Sequence, residues 1–271
     1  MLVQSLRLAK SIIMPSKKKG MNTRSLDYLR LVACDKTNTT LIASFPSSGW
    51  NWTTDVTTYA VVKHLTGEYK IEYKESGQYK GSEVKPVTLF HPADARAAKA
   101  PPLSQLGIPR DYCLHTHGYR GESPLWGLDR ARTIMVARDI PSALYSYYAK
   151  RRDVYATFEE CLHDGILERA VRFYESWSGV PKEIFWYEDF KVDPIGQFTR
   201  FAKSALSVEV PAKIVAEAVE FYSFEEQKKR EFKFNPDEKK HFHFKAKASY
   251  REEMGEALYD FIRGRIQHIQ L

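Results

Sequence analysis

The segment Thr40-Leu41-Ile42-Ala43-Ser44-Phe45-Pro46-Ser47-Ser48-Gly49-Trp50-Asn51-Trp52 has the layout of an anion cradle. A short apolar run leads into a Pro-Ser-Ser-Gly turn, then into residues that can be helical. N–H groups at a helix start lack helical partners, and the helix dipole favours negative charge there. The loop is not a Walker A motif, because G-x-x-x-x-G-K-[ST] is absent. The same turn also serves as plain punctuation between a strand and a helix. His117, in Leu114-His115-Thr116-His117-Gly118, follows a second apolar run. Open α/β sheets gather their active sites at such strand ends. An imidazole titrates near neutrality and suits proton abstraction, although a surface or hydrogen-bonded histidine would look alike. Arg138 follows a third run, Thr133–Ala137, and offers a planar fork of donors for phosphate oxygens.

These residues need strands to carry them. Strands are expected over 40–45, 111–116, 133–137 and 184–187. Helices are expected from Trp50 toward Lys63, from Pro141 to Arg151, from Pro194 to Ala205, from Pro211 to Phe221 and from Tyr250 to Gln267. Thr157-Phe158-Glu159-Glu160 reads as a capping box opening a helix that reaches Ser178. Strands alternating with helices imply an α/β domain, with a central, mostly parallel sheet flanked by helices. One domain over 36–271 is expected, after a basic segment at 1–35. Residues 65–110 break the rhythm with five prolines, as a functional stretch or a solvated loop would.

A chain of 271 residues, 43% hydrophobic, has ample material for a core. Its net charge of +7 attracts anions. Charge alone does not choose between nucleic acid and a nucleotide bearing several phosphates. Cys34, Cys113 and Cys161 are scattered without metal-ligand spacing, which suits buried thiols in a reducing compartment. No apolar stretch approaches the roughly 20 residues of a membrane span. The first 20 residues lack the apolar core of a secretory signal.

Together the Pro-Ser-Ser-Gly loop, the Arg138…Ser146 segment and Ile184-Phe185-Trp186-Tyr187-Glu188-Asp189 resemble the sulfotransferases that use 3′-phosphoadenosine-5′-phosphosulfate (PAPS). The resemblance runs from about Thr40 to Tyr259, most of the chain. It implies a soluble, cytoplasmic enzyme with a P-loop-like phosphosulfate-binding loop, PAPS as co-substrate, 3′,5′-diphosphoadenosine (PAP) as product and no required metal. Ser47, Ser48, Gly49, Trp50, Asn51 and Trp52 would form the cradle. Arg138 and Ser146, eight positions apart, would hold the 3′-phosphate. Tyr187, Trp52 and Phe224 would lie near adenine, and Lys245 and Lys247, with Arg251, would stand in a degenerate 3′-phosphate clamp. His117 would be the base, with His115 and Ser48 acting beside it on the transferred group.

Two departures follow from the same resemblance. Many members carry Lys where this chain has Ser47, and Lys often stands where it has His115. Lys245, Lys247 or a protonated His115 could compensate, activity could be reduced, or the acceptor could be cationic. The implied acceptor is a small molecule bearing a hydroxyl or amine, such as a natural product or a cationic alkaloid, rather than nucleic acid. The alternatives are a nucleotide-binding protein of this fold with reduced or lost catalysis, or a P-loop-like kinase.

Overall fold

The structure is a computed structural model that describes residues 38–68, 89–93, 102–120, 131–223, 225–226 and 250–269. Among the described residues five strands form the sheet: β1 (Thr39–Ser44), β2 (His91–Pro92), β3 (Tyr112–Thr116), β4 (Arg132–Ala137) and β5 (Glu183–Trp186). Their order is β2-β3-β1-β4-β5, and every pairing is parallel. The expected α/β architecture is therefore present. The two-residue edge strand β2 carries too little pattern to be read from sequence.

Alternation along each strand sorts side chains to two faces. Leu41, Ala43, Leu114, Met135 and Ala137 enter one core, under helices α2 (Ile140–Ala149) and α4 (Leu167–Ser178). Ile42, Cys113, Ile134, Val136 and Phe185 enter the other, under α1 (Trp50–Thr66), α6 (Pro194–Leu206) and α7 (Ala212–Phe221). Both faces are covered, so the strands read as near-continuous apolar runs. The Thr40 hydroxyl donates to the Ala205 carbonyl at 2.8 Å and ties β1 to the end of α6.

Three helices start as their residues dictate. Asp139 caps α2 by accepting from the Ser142 N–H at 3.1 Å, with Pro141 in the first turn. Asp193 caps α6 through the Gly196 N–H at 3.0 Å. Thr157 and Glu160 form the expected capping box at α3 (Phe158–Cys161). That helix does not run unbroken to Ser178. Gly165, at φ 86°, interrupts it within a π-helical turn over Leu162–Ile166, and α4 resumes from Leu167. The last expected helix is likewise divided at Gly255 into α8 (Tyr250–Met254) and α9 (Glu256–Ile266). Tyr187 is not a strand end; it opens a short helix, α5 (Tyr187–Val192). Among the described residues no helix is long and apolar enough to cross a membrane. Residues 1–37 and most of 69–101 lie outside the described residues.

Candidate active site

The carboxyl ends of β1, β3, β4 and β5 converge on one edge of the sheet. β1 is central, and the loop 45–49 leaves it for α1. Two residues of that loop take left-handed backbone: Ser47 at φ 68° and Gly49 at φ 85°. Gly49 is required twice over, because a Cβ there would stand 2.2 Å from Cδ2 of Tyr187. No side chain caps α1. The N–H groups of Trp50, Asn51 and Trp52 are thus left without helical partners at the positive end of a 17-residue helix.

Beneath this cradle lie polar atoms without partners. Ser48 is fully buried, and its Oγ has no hydrogen bond. The Tyr174 phenol, from α4, is buried beside it without hydrogen-bond geometry, and burial pushes its pKa up to about 12. The buried Arg138 donates from one terminal nitrogen to the Ser47 carbonyl at 3.0 Å, and its Nε is unpartnered. Its guanidinium is stacked between two rings, 4.6 Å from Tyr187 and 4.9 Å from Tyr250. The unpartnered Ser48 hydroxyl, the α1 amides and the Arg138 guanidinium are donors of the kind that phosphate or sulfate groups need. Ser146 is buried on α2, two turns beyond Arg138.

Both histidines are held by Ser44. Nδ1 of His117 donates to the Ser44 carbonyl at 2.6 Å, which leaves Nε2 as the lone-pair nitrogen. The Ser44 hydroxyl bonds Nε2 of His115 at 2.8 Å and lies 3.4 Å from Nδ1 of His117. His117 is exposed at the end of β3, so a substrate can reach it. The protein crowded around it holds its pKa below the usual histidine value. The hydrogen bond to Ser44 opposes that shift, and the charge of Lys150 adds to it. His117 is therefore neutral at physiological pH, as a base must be.

His115 has a different character from the one expected. Its ring stacks on Trp50 at 3.8 Å with 12° between planes, and packs edge-on against His117 at 4.4 Å. Burial, helped by the nearby His117, pushes its pKa down to about 2. A protonated His115 therefore does not replace the missing loop lysine. It is a neutral ring that braces Ser44 and Trp50.

The structure brings Ser47, Ser48, Gly49, Trp50, Arg138 and Tyr187 around one loop, with His115 and His117 beside it through Ser44. Trp52 packs edge-on against Tyr187 at 6.1 Å and Phe198 at 5.1 Å, and stays partly exposed at the rim. Asn51 is exposed on the first turn of α1. Phe224, Lys245 and Lys247 lie outside the described residues. Arg251 is engaged with Glu256 and the Tyr259 ring rather than with the cradle. Sequence reasoning missed Ser44, Tyr174 and Tyr250, which carry no motif.

No family model and no curated protein matches the chain. Solved structures do. The chain is similar to retinol dehydratase in complex with androsterone and inactive cofactor PAP, at 16% identity and a TM-score of 0.54, covering 92% of this chain and 86% of that one. It is also similar to retinol dehydratase in a complex with retinol and PAP, at 16% identity and a TM-score of 0.53, covering 91% and 85%. At this identity the likeness establishes the fold.

Proposed function

We propose that the protein is a PAPS-dependent sulfotransferase acting on a hydroxyl or amine of a small-molecule acceptor. The observation that carries this reading is the join made by Ser44. Its backbone ends the strand that opens the anion cradle, and its carbonyl fixes His117 with Nε2 free. A base and an anion site are thereby held on one rigid element. The structural relatives that bind PAP, androsterone and retinol lend the reading support.

In this reading the acceptor oxygen or nitrogen attacks the sulfur of PAPS. A new bond to sulfur forms, the bond from sulfur to the bridging phosphate oxygen breaks, and PAP leaves. Nε2 of His117 takes the acceptor proton. The α1 amides and Ser48 receive charge on the transferring and leaving oxygens, as preorganised donors do in acyl and phosphoryl transfer. Arg138 and Ser146 receive the 3′-phosphate, and Trp52 and Tyr187 lie toward the adenine. Sulfur chemistry of this kind asks for positioning and electrostatics and no metal. A cytoplasmic setting suits the two described cysteines, which are buried free thiols with pKa values pushed up by burial. The test is transfer of radiolabelled sulfate from PAPS to a panel of phenols, alcohols and amines. Calorimetry with PAP and with 5′-AMP accompanies it. Transfer, with PAP bound far more tightly than 5′-AMP, is expected. Absence of both would overturn the reading.

A further inference from the structure

We infer that Trp177, with Ser176 beside it on α4, is a positioning residue for the base: the two hold the chain just beyond His117 so that Nε2 meets the acceptor. The inference rests on the sulfotransferase reading and assigns further residues to the same site.

The ladder between β1 and β3 ends at the pair Ala43–Thr116. His117 is the next residue, so sheet pairing does not fix it. The Ser44 carbonyl holds its ring at Nδ1, and a single hydrogen bond leaves a ring free to swing about that contact. The chain that follows is held by α4. Nε1 of Trp177 donates to the Gly118 carbonyl at 3.2 Å. The Arg172 guanidinium lies 4.9 Å from the centre of the Tyr119 ring. The Arg120 N–H donates to the Ser176 hydroxyl at 3.1 Å, and that hydroxyl donates to the Phe173 carbonyl at 2.7 Å. Three consecutive residues after the base therefore meet one helix. The Gly118 N–H is engaged as well, with the Thr116 hydroxyl at 2.9 Å.

Trp177 is the buried member of this set. A buried indole N–H needs an acceptor, and here the acceptor is the carbonyl one residue past the base. The Trp177 ring packs on Phe173 at 6.4 Å, and Phe173 meets Phe45 at 5.8 Å. Phe45 is the first residue of the loop that leaves β1 for the anion cradle. One helix thus touches both the start of the cradle loop and the exit from His117, and sets the spacing between them independently of Ser44. General base catalysis requires hydrogen-bond reach of the acceptor proton, and a displacement of about 1 Å can cost about 10²-fold in rate.

The test is steady-state sulfate transfer from PAPS to 2-naphthol and the panel of phenols, alcohols and amines, with PAP calorimetry on each variant. Trp177→Phe keeps a ring and removes the N–H. It should lower kcat by about tenfold or more while PAP affinity holds within about twofold. Ser176→Ala should lower kcat severalfold, again with PAP affinity unchanged. A structural role alone would lower activity whatever stands at 117, whereas positioning acts through the base. In a His117→Ala background both substitutions should therefore cost nothing further. If Trp177→Phe does not fold, Ser176→Ala alone decides. No transfer to any acceptor by the unaltered chain sinks the sulfotransferase reading, and the inference with it. Transfer with kcat unchanged in the variants, with PAP affinity lost alongside kcat, or with the same losses in the His117→Ala background, overturns the inference alone.

Discussion

Gly49→Ala tests the cradle where its geometry is tightest. The backbone there is left-handed, at φ 85° and ψ 7°. An alanine in that conformation costs about 1–2 kcal/mol. The added methyl also stands 2.2 Å from Cδ2 and 2.8 Å from Cε2 of Tyr187. Tyr187 is held by the guanidinium of Arg138 on its face and by Trp52 at its edge, so its ring has little room to withdraw. Overpacking of this kind costs about 1–3 kcal/mol. The sum is about 2–5 kcal/mol, a large share of the 5–15 kcal/mol that typically holds a domain folded. For a chain of this size it should lower Tm by about 4–20 °C. The assay is thermal unfolding of a double-mutant cycle with Tyr187→Ala. In the Tyr187→Ala background the ring is gone, so the cost of Gly49→Ala should fall to the backbone part, about 1–2 kcal/mol. Equal costs in both backgrounds would refute the steric account, and a cost near zero in both would refute the backbone account too.

Other outcomes follow from the same geometry. His117→Ala should reduce sulfate transfer by about 10²-fold or more while PAP affinity stays constant, since the ring serves the proton and not the nucleotide. Arg138→Ala should weaken PAP far more than 5′-AMP by calorimetry, and equal losses would remove Arg138 from the 3′-phosphate. Activity should persist below the pH at which an ordinary histidine protonates, because the folded protein lowers the pKa of His117. An acid limb of kcat/KM centred above about 6.5 would contradict that. Stability should decline as pH falls from about 6.5, because the unfolded chain then protonates a residue-115 imidazole that the folded state keeps neutral down to about 2. His115→Phe should flatten that decline in urea unfolding measured across pH.

Much of this arrangement is legible in the chain, for reasons of pattern. β1, β3 and β4 are short apolar runs flanked by polar residues, and both faces of the sheet are covered, so their existence and order can be read directly. The capping box at Thr157 is a local code that needs no tertiary context. The errors have local causes as well. Gly165 and Gly255 adopt positive φ inside stretches whose apolar spacing is helical throughout, and spacing does not report φ. Tyr187 belongs to an apolar run yet turns into a helix under Gly49, a choice set by packing against a loop 138 residues earlier. His115 reads as a polar residue in sequence. Only the Trp50 ring upon it and its burial show that it stays neutral.

Ser47, where the resembled family often carries lysine, enters the site through its backbone. Its backbone is left-handed, and its carbonyl is turned to accept from Arg138. The guanidinium thus lies directly beneath the loop, held in place by two aromatic faces. In the proposed reaction that guanidinium meets the 3′-phosphate. A guanidinium fixed by stacking and a carbonyl loses less freedom on meeting an anion than a flexible ammonium would. The unpartnered Nε of Arg138 and the free Ser48 hydroxyl are then the donors that await charge. For the proposed reaction this divides the work along the sheet edge. Arg138 and the start of α1 would hold the nucleotide, and Ser44 holds His117 beside them.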